Sequence, residues 1–129
     1  MKTLKNVDLQ VTGKIRMMPD GNFRFTNSPP DFSEAKRGIE LVKKAVRNPK
    51  NDLVICDEVM SCILTKLVSE EDVLGIISEF EIAGRSCELV LTGRSLPESI
   101  KSKSDLVTEM KMLKHYYNKG LPARKGIEF

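Results

Sequence analysis

Two adjacent carboxylates, Asp57 and Glu58, stand directly after the apolar run Leu53-Val54-Ile55-Cys56. A run of that kind reads as a strand buried on both faces, inside a parallel sheet. Ligands of open α/β sheets bind just beyond the carboxyl ends of the strands. An acid pair at that place has the chemistry to hold Mg2+, directly or through water, beside the phosphates of a nucleotide. The same pair also occurs at strand ends that bind nothing, so it does not decide alone. A second strand, Cys87-Glu88-Leu89-Val90-Leu91-Thr92, runs into Gly93-Arg94-Ser95. If the two strands are parallel, Arg94 lies on the same sheet edge as Asp57 and Glu58. From residue 101 to 125, seven bases stand against two carboxylates, a net +5. A cationic segment leaving that edge can neutralise a polyphosphate. The plain alternative is a solvated tail.

The supply of residues excludes other chemistries. A single His115 and three scattered cysteines, with no C-x-x-C pair, cannot build a zinc site. Odd, unpaired cysteines suit free thiols in a reducing cytoplasm. Cys56 and Cys87 lie inside apolar runs and read as small core residues. Gly13-Lys14 is not a phosphate loop, because G-x-x-x-x-G-K-[ST] would need Gly where Asp8 stands and Ser or Thr where Ile15 stands. A net charge of +3 is mild and does not by itself argue for nucleic acid, which asks for a concentrated basic face. No apolar run approaches the roughly 20 residues of a membrane span. Met1-Lys2-Thr3-Leu4-Lys5 is not followed by the apolar core of a signal peptide.

The elements that must carry these residues follow from periodicity. At 129 residues the chain is one domain with room for a real core. Val7-Asp8-Leu9-Gln10-Val11 alternates as a half-buried strand does, and Gly13 stops it. Residues 16–31 read as a loop with turn signals at Pro19-Asp20-Gly21-Asn22 and Ser28-Pro29-Pro30-Asp31. Phe23 and Phe25 within it either pin the loop to the core or line a ligand pocket; pinning is the commoner use. Asp31 as cap, with Glu34, opens a helix whose apolar stripe is Ala35, Ile39, Val42 and Val46 and which ends before Pro49. Val59 to Leu67 is a short helical or turn-rich stretch. Ser69 and Asp72 open another helix, with Val73, Ile76, Ile77 and Phe80 buried and Gly84 ending it. Ser95 as cap and Pro97 in the first turn start a short helix. Asp105-Leu106-Val107-Thr108-Glu109-Met110 is a further strand. Strands and helices alternate, which predicts an α/β fold with a mainly parallel sheet and helices on both faces.

Together these residues resemble the P-loop-type ATP:corrinoid adenosyltransferases of vitamin B12 metabolism. The resemblance rests on Asp52 to Glu58, on Leu91-Thr92-Gly93-Arg94 and on Asp105 to Met110. Lys114-His115, Gly120, Ala123 and the ending Lys125-Gly126-Ile127-Glu128-Phe129 extend it. It covers roughly residues 4 to 129. It implies transfer of the 5′-deoxyadenosyl group of ATP to Co(I) of a corrinoid, with release of triphosphate and help from Mg2+. By position it implies Glu58 as the metal-side carboxylate with Asp57 as its partner. It puts Phe23 and Phe25 on the corrinoid, and Thr92, Gly93, Arg94, Lys114 and His115 on the nucleotide side. The family usually has Trp as the second loop aromatic, Pro where Tyr116 stands and Gln where Arg124 stands.

The resemblance also implies a P-loop NTPase-like (RecA-like) three-layer fold. The family opens with a strand and a Gly-rich loop bearing Lys and Thr, which grips the triphosphate; this sequence matches from beyond it. The expectation is one truncated domain over residues 1–129, missing the first βα unit. MgATP binding is then weak or absent in this chain alone, and the phosphate loop comes from another polypeptide or from a longer native gene product. A homodimer or a partner chain carrying the P-loop is expected. The other reading is a non-catalytic relative that keeps corrinoid or partner contacts. Both expect a cytoplasmic protein with no nucleic-acid or membrane partner.

Overall fold

Residues 4–16, 24, 26–122, 124 and 126–127 are described by the computed structural model of the chain. Leu53–Cys56 (β1) and Glu88–Leu91 (β2) pair in parallel, with Leu53 opposite Glu88 and Cys56 opposite Leu91. Before them comes α1 (Pro29–Val46); between them lie α2 (Val59–Leu64) and α3 (Glu70–Ile82). After them come α4 (Glu98–Lys101) and a 3₁₀ turn at Tyr116–Lys119. The β1–α2–α3–β2 path is the crossover that a parallel pair requires.

The strands are buried on one face only. Val54 and Cys56 are buried, whereas Leu53 and Ile55 are 52% and 58% exposed. The reason is where the helices go. Val46 of α1, Val59 and Met60 of α2, Val73 and Ile77 of α3 and Ile100 of α4 form one cluster with Val54, Cys56 and Cys87. The expectation of helices on both faces therefore reduces to one covered face among the described residues.

Capping explains where the helices begin. Pro29 and Pro30 fill the first positions of α1, where a missing N–H costs nothing. The cap is consequently Ser28, not Asp31 as the sequence suggested. Asp31 sits three residues on, and its carboxylate accepts from the Ser28 N–H at 2.8 Å and hydroxyl at 2.6 Å. In α3 the Ser69 and Asp72 capping box forms as expected, and Val73, Ile76 and Ile77 are buried. In α4, Pro97 stands at the cap rather than inside the first turn. Four residues cannot hold a helix by themselves. Ile100, fully buried, and the Ser99 hydroxyl, donating to Glu70 Oε2 at 2.6 Å, fix α4 against α3.

Two expected strands do not form. Residues 7–11 and 105–110 carry strand-like patterns but pair with no strand among the described residues. A strand needs a neighbour to satisfy its N–H and C=O groups, and sequence alternation cannot supply one. Residues 11–13 lie along α1 instead. Arg37 donates to the Val11 carbonyl at 2.9 Å, and Gly38 leaves room for the Thr12 side chain. Asp105 is held by Arg85 at 2.9 Å, and beyond it Leu106 and Met110 stand exposed.

Candidate functional site

The parallel register brings the carboxyl ends of β1 and β2 to one edge. Asp57 and Glu58 leave β1 there, and Thr92, Gly93 and Arg94 leave β2 there. The two corners are bonded directly. The Thr92 N–H donates to Cys56 O at 3.1 Å, extending the ladder by one rung. The Thr92 hydroxyl donates to Asp57 Oδ1 at 2.8 Å and accepts from the Glu58 N–H at 2.8 Å. The Thr92 carbonyl accepts from the Met60 N–H at 3.2 Å.

Glu58 is the cap of α2 and has left-handed backbone, φ 58° and ψ 21°. That conformation is disfavoured for a side chain with a Cβ. Its carboxylate accepts from the Ser61 hydroxyl, one turn on. Asp57 and Glu58 are thus each held by one hydroxyl, and both are exposed. Among the described residues no three Asp, Glu, His or Cys side chains gather closely enough to hold a metal by themselves. The pair offers two carboxylates at most, which suits a hard cation that keeps water and phosphate in its sphere.

Gly93 has a structural reason to be glycine. Its φ is +137°, and a Cβ there would come within 2.8 Å of Met60 Cβ and 3.0 Å of the Met60 and Ser61 nitrogens. The strand end is pressed against the first turn of α2. Arg94 is exposed beside it. Lys114 and His115 are exposed in the tail, and no hydrogen bond or ion pair among the described residues ties them to this edge. His115 Nδ1 accepts from the Tyr117 N–H at 3.1 Å. Phe23 and Phe25 lie outside the described residues.

A second cluster, which sequence reading missed, lies at the start of α1. Asp31 is buried and takes a two-armed grip from Arg24, at 2.8 and 3.0 Å. Arg16 stands 3.8 Å from the same carboxylate and donates to Asn27 Oδ1 at 2.9 Å. The Arg24 N–H donates to the Arg16 carbonyl at 2.9 Å. Asn27 in turn donates to the Thr65 carbonyl at the end of α2, at 2.7 Å. The Arg24 guanidinium and the Ser28 donors hold the Asp31 carboxyl well below the usual carboxylate range. Cys62 on α2 lies between the two clusters electrically. Burial pushes its thiol up, Arg16 pulls it down and Glu58 pushes it up. The S-x-x-D spacing of Ser28 and Asp31 was the available signal for this cluster. Ser61, also missed, is signalled by its spacing of three from Glu58.

The family model of "ATP:corrinoid adenosyltransferase BtuR/CobO/CobP" matches residues 2–129. The chain belongs to this adenosyltransferase family. A corrinoid adenosyltransferase of Sinorhizobium sp. is 30% identical over 99 residues, 77% of this chain and 45% of that protein. One of Pseudomonas aeruginosa is 26% identical over 99 residues, again 77% of this chain and 47% of that protein. An uncharacterized protein of Nostoc sp. is 32% identical over 85 residues, 66% of this chain and 22% of that protein. This adenosyltransferase-family chain therefore spans about half the length of the named relatives it matches. No solved structure matches it. No described helix is long and apolar enough to cross a membrane.

Proposed function

We propose that this chain contributes the strand-end half of a corrinoid adenosyltransferase site. The reaction forms a bond between Co(I) of a reduced corrinoid and carbon 5′ of ATP. The bond from carbon 5′ to its oxygen breaks, and triphosphate leaves. The observation that carries this reading is the direct bonding of the Asp57-Glu58 corner to Thr92 across a parallel strand pair. Family membership supports the substrate class.

In this reading Asp57 and Glu58 hold Mg2+, which supplies charge neutralisation for the departing triphosphate. Their donor set fits, since Mg2+ is commonly bound by one or two carboxylates plus phosphates and water. Gly93 and Arg94 form the nucleotide side of the same edge, and Thr92 bonds it to the carboxylate corner. Lys114 and His115 join it from the cationic tail. Phe23 and Phe25 serve the corrinoid by displacing its lower axial ligand. The complete site has a P-loop NTPase-like, three-layer frame in the cytoplasm. Its phosphate loop is supplied by polypeptide outside these 129 residues, on another chain or on a longer form of this one. The exposure of Leu53, Ile55 and Val90 on the open sheet face supports further polypeptide packing there.

The test is to titrate the purified chain with MgATP and with cobalamin separately, then to assay adenosylation under reducing conditions. Cobalamin binding, weak MgATP binding and negligible turnover are expected. Turnover without any added polypeptide would refute the need for a separate phosphate loop. Binding of neither ligand would refute the reading as a whole.

A further inference from the structure

We infer that Thr92 is a positioning residue for the Asp57-Glu58 pair rather than a group that touches nucleotide. This deepens the proposed function and rests on its assignment of Asp57 and Glu58 to the metal. The inference comes from the bookkeeping of one hydroxyl. A threonine hydroxyl has one proton to give and two lone pairs to receive with. Its proton goes to Asp57 Oδ1 at 2.8 Å. It accepts the Glu58 N–H, also at 2.8 Å. The backbone N–H and C=O of Thr92 are used as well, on Cys56 and Met60. Thr92 therefore has no donor left for a phosphate or a ribose.

What it does have is leverage on both carboxylates. The bond to Oδ1 fixes the rotation of the Asp57 side chain. It leaves Oδ2 without a protein donor among the described residues, and so open to a cation. The bond from the Glu58 N–H holds that residue in left-handed backbone, from which its side chain folds back to Ser61. One hydroxyl thus sets the orientation of the first carboxylate and the backbone of the second. Ser keeps this hydroxyl; Val keeps the shape of Thr without it.

The experiment compares the full chain with T92S, T92V and D57N. The affinity for ATP is measured with and without Mn2+, bound Mn2+ being followed by water-proton relaxation. Exchange of the Glu58 amide is followed by NMR. For T92V, a tenfold or greater loss in the affinity gained by adding metal is expected, with metal-free ATP affinity within about twofold and a faster-exchanging Glu58 amide. T92S should stay within threefold of wild type on every measure. Equal losses with and without Mn2+ in T92V, meaning a merely structural role, would overturn the inference. So would a T92V with wild-type metal response while D57N loses it. If D57N also responds to Mn2+ like wild type, or wild type shows no response, the metal assignment of the pair falls and this inference falls with it.

Discussion

Glu58 carries a conflict between backbone and chemistry. Its φ of 58° favours glycine, yet the residue is a glutamate, two residues past the end of β1. Left-handed backbone costs a residue with a Cβ about 1 kcal/mol. E58G should therefore be more stable than E58A by about that amount in urea denaturation, while both lose any metal response. Equal stabilities would mean that α2 has relaxed the corner. Asp31 poses the opposite case, a buried carboxylate with every oxygen partnered. Its folded-state proton affinity is depressed below the unfolded value. The unfolded chain then binds the proton more readily, so the stability Asp31 contributes is full above about pH 4 and falls as pH drops further. D31N should lower the urea midpoint at pH 7 and flatten the acid limb of the profile below pH 4. Parallel profiles for the two proteins would contradict this.

At the scale of elements, the site depends on how tightly α2 presses on the end of β2. Gly93 makes that approach possible. G93A would set a methyl against Met60 and the backbone of Ser61. A cost of about 1–3 kcal/mol is expected from overpacking, seen as a lower thermal midpoint and faster exchange of the Met60 amide. An unchanged midpoint would show that α2 shifts freely. The sequence had marked Gly93 only as part of a strand-end motif, because which helix lies over a strand end is not written locally. The helices themselves were readable. Ile39 and Val46, then Val73, Ile76 and Ile77, recur at the helical period and are the buried positions. Their starts were less so. Ser28, Asp31 and Glu34 are each three residues apart, and both Ser28 with Asp31 and Asp31 with Glu34 satisfy a capping pattern. The proline pair decided for Ser28, since Pro is accommodated in the first turn, where its missing N–H has no partner to lose.

For the molecule as a whole, the one-sided burial of the sheet is the dominant feature. Parallel sheets ordinarily have both faces covered. Here Ile55 and Val90 lie opposite each other in the register and are 58% and 40% exposed. Substitution of both by threonine should change the stability of the chain by no more than about 1 kcal/mol, because neither belongs to the core. It should weaken any self-association seen in sedimentation experiments, since the open face is one apolar surface available for contact. A large loss of stability would mean that these side chains are packed in solution.

The sequence by itself determined the segments of β1 and β2, the helical stripes and the acid corner that follows β1, because each is set by local period and by residue chemistry. Cys56 and Cys87 as core residues also followed from their apolar surroundings, and burial pushes the Cys56 thiol up to about 12. Only the tertiary structure decided that β1 is covered on one face, that residues 7–11 and 105–110 join no strand among the described residues, and that Thr92 spans both carboxylate-bearing residues. Those outcomes depend on which segments stand next to one another. A pattern along one strand states what it needs from a neighbour, but not whether a neighbour is there.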